Sequence, residues 1–196
     1  MIYQKLSSIV TNNTLKNQNI ALFLAAITII YNLAEGVIST FYGASDETLA
    51  LFGFGVDSFV EVLSGIGIAH MIFRMKKHPV ENRDQFEITA LKITGSAFYL
   101  LVAGLILGAI LSVMYQAKPE STLVGIIISL ISILTMYILY RQKLKVGQAL
   151  NSEPIISDAN CTKTCFYLSF ILLGSSALYA LFKIPYVDAL GSLGIA

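Results

Sequence analysis

The sequence predicts an all-α integral membrane bundle of six transmembrane helices, the last of them short, and three observations predict it. Hydrophobic residues make up 56% of the 196 positions and charged residues only 13%, against about 45–50% and about 25% in soluble domains. The mean hydropathy is +0.73. The apolar residues also fall in long runs between short polar stretches, and a spanning helix takes about 20 such residues. A chain of 196 residues therefore has room for five or six spans and no separate soluble domain. Thirteen Lys and Arg nearly balance twelve Asp and Glu for a net charge of +1, which excludes a broad basic face for nucleic acid.

Residues 1–19 form a polar leader carrying Asn12, Asn13, Lys16, Asn17 and Asn19. The leader has no signal-peptide cleavage motif, so the first span is expected to be retained, and the leader itself suits a short amphipathic surface helix. Residues 20–196 form one transmembrane domain. Its first run is about Ile20 to Tyr42, and Gly43 to Glu47 make a tight turn into the second, about Thr48 to Phe73. The third is about Ile88 to Met114, the fourth about Leu123 to Tyr140, and the fifth begins near Ile155 and runs to Phe182. The last, Ile184 to Ala196, covers about 20 Å of a hydrocarbon core about 30 Å thick. It is expected to be half-inserted or cut short. Truncation is the preferred reading, because Leu190 to Ala196 hold no Lys or Arg to mark a membrane exit.

Basic residues set the orientation. Lys5 and Lys16 precede the first span, Arg74, Lys76, Lys77 and Arg83 follow the second, and Arg141, Lys143 and Lys145 follow the fourth. All fall on one side, with Lys118 and Lys183 on the other. The amino terminus is thus expected in the cytoplasm, with the chain multi-pass in the plasma (inner) membrane.

A charge at mid-bilayer carries an insertion cost of about 2.5–3.5 kcal/mol, so intramembrane carboxylates are functional candidates. In GFGVDSFVEVLSG, Asp57 and Glu61 are four residues apart on one helix face. In SDANCTKTC, Asp158, Cys161 and Cys165 follow at i, i+3 and i+7 along one stripe. Two carboxylates and two thiolates suit a tetrahedral site for a borderline-soft divalent ion such as Zn²⁺ or Cd²⁺. Only the deprotonated forms ligate, so binding releases protons, and metal–proton exchange follows. The structural alternatives are a carboxylate paired with a base, for which Lys92 and Lys163 lie nearest the span interiors, and cysteines acting as small apolar residues. A disulfide between Cys161 and Cys165 is disfavoured by i, i+4 geometry on a helix.

Other polar residues are less decisive. Glu35 in YNLAEGVIS lines an exit path, neutralises the cavity or sits at the interface, with Asn32 sharing its stripe. Asp188 reads as a helix-entry residue, His70 faces away from the Asp57 stripe, and His78, Glu81 and Asp84 read as a solvated loop. Gly53, Gly55, Ser64, Gly65 and Gly67, and the pair Gly104 and Gly108, read as sites of close helix approach.

The hairpin with LALFGFGVDSFVEVLSG, followed after two further spans by the basic stretch and SEPIISDANCTKTCFYLS, resembles the cation diffusion facilitator family of metal–proton antiporters. The resemblance covers about residues 20–196 and is nearest to short bacterial members without the usual soluble tail. It implies a cation-transport domain, a homodimer in the bilayer, no cofactor, and Zn²⁺ or a related ion moved outward against protons. It places the ion between the second and fifth spans. Asp57 and Glu61 match the family's acidic pair, while Cys161 and Cys165 stand where the family usually has histidine and aspartate, behind Asp158. Thiolates there shift preference toward softer ions. Asp188 is followed by Ala189 rather than the family's common proline. Two competing readings are a non-transporting metal-binding membrane subunit and a membrane thiol oxidoreductase; the latter lacks a C-x-x-C motif.

Overall fold

The computed structural model describes residues 2–45, 48–77, 123–182 and 187–195, with scattered positions between 88 and 110. Its helices are α1 (Ile2–Ser45), α2 (Leu49–Lys77), α3 (Leu123–Leu150), α4 (Glu153–Phe182) and α5 (Val187–Ile195). Among the described residues there is no strand. Among the described residues, four helices are long and apolar enough to cross a membrane: Asn13–Ser45, Leu49–Lys77, Leu123–Leu150 and Glu153–Phe182. About half of the third run lies outside the described residues, as do His78, Glu81, Asp84, Gly108, Lys118, Lys183 and the side chain of Asp188. The leader continues into α1 as helix instead of forming a separate surface element.

The pattern of exposure is that of a bundle solvated by lipid. In α3, Gly125, Ser129, Ser132, Met136, Leu139, Lys143 and Val146 are buried, at alternating steps of four and three that define one helix face. The outward side carries Leu123, Ile127, Leu130, Ile131, Leu134 and Ile138. Small and polar groups face inward and branched apolar ones outward, because lipid tails solvate the latter as well as a core would, and close helix approach needs the former.

Two antiparallel hairpins make the bundle. α1 and α2 pack together along their lengths, as do α3 and α4, and the contacts between the two hairpins are less extensive. The first turn closes with Thr48 N–H donating to the Gly43 carbonyl at 2.9 Å. The second is a helix-stop motif: Asn151 N–H reaches Gln148 O at 3.2 Å and Ser152 N–H reaches Gly147 O at 3.1 Å, with Asn151 at φ 48°. Asn tolerates that left-handed conformation, and the two bonds satisfy carbonyls left free at the helix end. Ser152 then opens α4, and Pro154 sits in the first turn, where no donor is missed. Turns this short fix the register, so residues equidistant from a turn face each other across each hairpin.

Gly55 lets α1 and α2 touch: a Cβ there would lie 2.6 Å from Thr40 N and 2.8 Å from Thr40 Cγ2. At Gly104 a Cβ meets nothing within 4 Å among the described residues, so the close approach expected of that position is not seen. Gly55→Val should therefore lower the thermal midpoint of the purified chain, overpacking typically costing about 1–3 kcal/mol, while Gly104→Val leaves it in place. Equal melting of the two variants would contradict this account. One buried apolar cluster includes Leu24, Ile68, Met71, Ile72, Met136 and Val146. A second includes Leu51, Phe54, Leu168, Leu172 and Ile195 of α5. In α2 the buried polar residues Asp57, Ser58, Glu61 and Ser64 lie between Phe54 of the second cluster and Ile68 of the first, with Val60 of the second among them.

Candidate metal site

Asp57 and Glu61 project from the middle of α2 and are 0% and 1% exposed. Their i, i+4 spacing brings both to one face, and the register of the hairpins supplies their neighbours. From α4 across the seam between the hairpins, the Cys165 thiol donates to Asp57 Oδ2. From α1, Asn32 Nδ2 donates to Glu61 Oε2 at 3.0 Å. Among the described residues each carboxyl keeps one oxygen, Asp57 Oδ1 and Glu61 Oε1, without a hydrogen-bond partner. Burying an acceptor without a donor is costly, so these oxygens are suited to take a cation or to carry a proton.

Asp158 is drawn elsewhere. Its Oδ2 lies 2.9 Å from Lys143 Nζ, and its Oδ1 accepts from the Ser64 hydroxyl at 2.6 Å. Lys143 also donates to Thr162 Oγ1 at 2.8 Å. The pair is 2% and 5% exposed at the side chains. This corrects two expectations. Lys143 lies inside α3, which runs ten residues past Tyr140 to Leu150, and it is the base that pairs with an intramembrane carboxylate. Lys92 is exposed, and Lys163 sits 5.9 Å and 5.8 Å from the ring centroids of Tyr140 and Tyr167. With both oxygens engaged, Asp158 contributes to the ion pair and not to the set of free ligand atoms.

On α4 the buried stripe is Asp158, Thr162, Cys165 and Ser169, at steps of four, three and four. Cys161 lies on its shoulder and is half-buried, and both cysteines are free thiols. Among the described residues no group of three or more His, Cys, Asp or Glu is arranged to hold a metal ion. Glu35 is 6% exposed and faces the interior of the bundle. It accepts from Tyr31 Oη at 2.8 Å and from Ser58 Oγ at 3.0 Å. His70 is exposed, on the side away from the pair.

Sequence reasoning missed Lys143 and undervalued Asn32. The signal for Lys143 was its place in the buried series after Met136 and Leu139. That for Asn32 was its distance from the first turn, which matches that of Glu61 on the other side.

Comparison with known proteins adds two findings. Residues 23–196 match the family described as the cation efflux transmembrane domain. The chain is 27% identical over 149 residues to the manganese efflux system protein MneP of Bacillus subtilis (strain 168), an alignment that covers 74% of this chain and 50% of that protein. The chain thus spans about half the length of the curated relative it matches.

Proposed function

This chain belongs to the cation efflux family, and on that premise we propose that it exports a divalent transition metal, Zn²⁺ or Cd²⁺, in exchange for protons. The observation that carries the reading is the hydrogen bond between Cys165 and Asp57. It joins a thiol and a carboxyl from the two hairpins, the donor types a borderline-soft ion prefers, at fully buried positions. In this reading Asp57, Glu61 and Cys165 are the ligands, with Cys161 turning in from the shoulder of α4. Binding replaces protons on the thiols and carboxyls, because only deprotonated forms ligate. Protons arriving from the opposite side reverse the exchange and release the ion. Rocking of one hairpin against the other would expose the seam to each side in turn, the alternating access of secondary transporters.

The distribution of Lys and Arg supports a cytoplasmic amino terminus and a plasma-membrane location, and we read the working unit as a homodimer. A second reading of the cargo, Mn²⁺, is favoured by the unpartnered oxygens Asp57 Oδ1 and Glu61 Oε1 and by the manganese efflux activity in the name of MneP. Proteoliposomes with an imposed pH gradient test these readings. Uptake of Zn²⁺ and Cd²⁺ that collapses with the gradient is the expected result, and uptake of Mn²⁺ alone would establish the second reading. Binding without flux would point to a metal-binding subunit instead.

A further inference from the structure

The ligands considered so far lie on α2 and α4, yet α1 turns a long polar face inward. Thr28, Asn32, Glu35 and Ser39 are 0%, 0%, 6% and 0% exposed, at steps of four, three and four that form one stripe. On the other side of the same helix Phe23, Ile30, Val37 and Phe41 are exposed. A helix that only packed against α2 would bury small apolar residues here, since each buried amide or hydroxyl needs a partner.

Glu35 has its partners in Tyr31 and Ser58. Asn32 has only half of its own. Its Nδ2 donates to Glu61 Oε2 and to the Thr28 carbonyl, each at 3.0 Å. Two acceptors at that end identify it as the nitrogen, because a reversed amide would set its oxygen against two oxygens. Oδ1 is therefore the other end, fully buried and without a partner. The residue it touches, Glu61, has an unpartnered Oε1, and one turn away Asp57 has an unpartnered Oδ1. Three buried side chains, Asn32 bonded to Glu61 and Glu61 one helical turn from Asp57, each hold an acceptor that no donor among the described residues satisfies. A stranded buried acceptor costs about 1–3 kcal/mol, and a divalent cation satisfies several at once.

We propose that Asn32 is a ligand of the transported ion, its amide oxygen coordinating alongside Asp57 and Glu61, so that three helices build the site. This rests on the transport reading above and extends it. An amide oxygen is a hard, neutral donor. It adds a ligand without adding charge, and it sets another oxygen donor beside the sulfur donor that Cys165 supplies. The nitrogen end keeps Glu61 oriented meanwhile. Asn32 thereby favours oxygen-preferring ions, Mn²⁺ over Cd²⁺.

Calorimetric titration of the purified full chain with Mn²⁺ and with Cd²⁺ tests this, using the unsubstituted chain, Asn32→Ala, Asn32→Asp and Asp57→Ala. Asn32→Ala should weaken Mn²⁺ binding by more than about 100-fold, since losing a group that merely supports a ligand already costs about 10–100-fold, and Cd²⁺ binding by less. Asn32→Asp, which keeps the oxygen and adds charge, should hold Mn²⁺ at least as tightly as the unsubstituted chain. Were Asn32 only a hydrogen-bond donor, Asn32→Asp would lose both donated bonds, face Glu61 with a second carboxyl, and bind no better than Asn32→Ala. That result overturns the proposal. Should Asn32→Asp fail to fold, equal losses for the two ions in Asn32→Ala overturn it, because a structural role does not discriminate between ions. If Asp57→Ala loses binding while both Asn32 variants bind normally, this inference falls and the transport reading stands. If Asp57→Ala binds as well as the unsubstituted chain, both fall.

Discussion

Cells that depend on this chain for protection from excess metal should lose that protection when it carries Asp57→Ala, while the protein accumulates as before. Asp57 is fully buried, takes the Cys165 thiol across the seam, and has a second oxygen with nothing to bind. Removing a group that only supports a ligand costs about 10–100-fold in metal affinity, so removal of a ligand should exceed about 100-fold. Folding should tolerate the change, because a buried carboxyl is costly to place and a methyl group is not. Retained protection, at equal abundance in the membrane, would sink the assignment of the site. Loss of the protein itself would instead make Asp57 a structural residue.

Lys143→Ala should be the most destabilising single change in the bundle, and replacing both partners, Lys143→Met with Asp158→Leu, should avoid the damage. Alone, it strands the Asp158 carboxylate at 5% side-chain exposure with Ser64 as its remaining partner. Breaking one side of a buried ion pair typically costs about 3–5 kcal/mol, whereas replacing both partners with well-packed apolar residues is often neutral or stabilising. Thermal unfolding of Lys143→Ala beside Lys143→Met with Asp158→Leu measures the difference. A double variant as unstable as the single one would show that the pair does not behave as one unit. The double variant also decides what Asp158 does for transport: metal flux that survives its removal excludes it from the ligands.

The parts of this architecture legible in the sequence were those written in period and hydropathy. The Asp57 and Glu61 stripe stood out because two carboxylates in an apolar run demand an explanation, and four long helices appear where four of the apolar runs lie. Lys143 was obscured by its neighbours. Arg141 and Lys145 are both exposed, and the three bases together look like a loop leaving the membrane, although α3 continues to Leu150. Only the spacing of the buried series, independent of hydropathy, carries Lys143 inward. The ion pair of Asp158 was hidden for the same reason: without a known base, nothing in the run of residues pointed to Lys143 as its partner. Cys161 shows the limit of spacing. Position i+3 and position i+4 lie on opposite flanks of a stripe, and packing against α3 chose Thr162 for the buried flank. The unpaired oxygens of Asn32, Asp57 and Glu61 depend on two helices meeting in register, which no single run of residues records.

The ion pair in the second hairpin also bears on how the membrane voltage acts on transport. A lone charge moved through the full field is worth about 2.3 kcal/mol per 100 mV. Lys143 and Asp158 lie 2.9 Å apart on α3 and α4, within the unit proposed to rock. They therefore move together, and the work done on one is cancelled almost entirely by the work done on the other. In the proposed metal–proton exchange the resting potential would then drive the metal and the protons and leave the reorienting helices nearly free of electrical load, so that the voltage dependence of flux would report the charge ratio of the exchange.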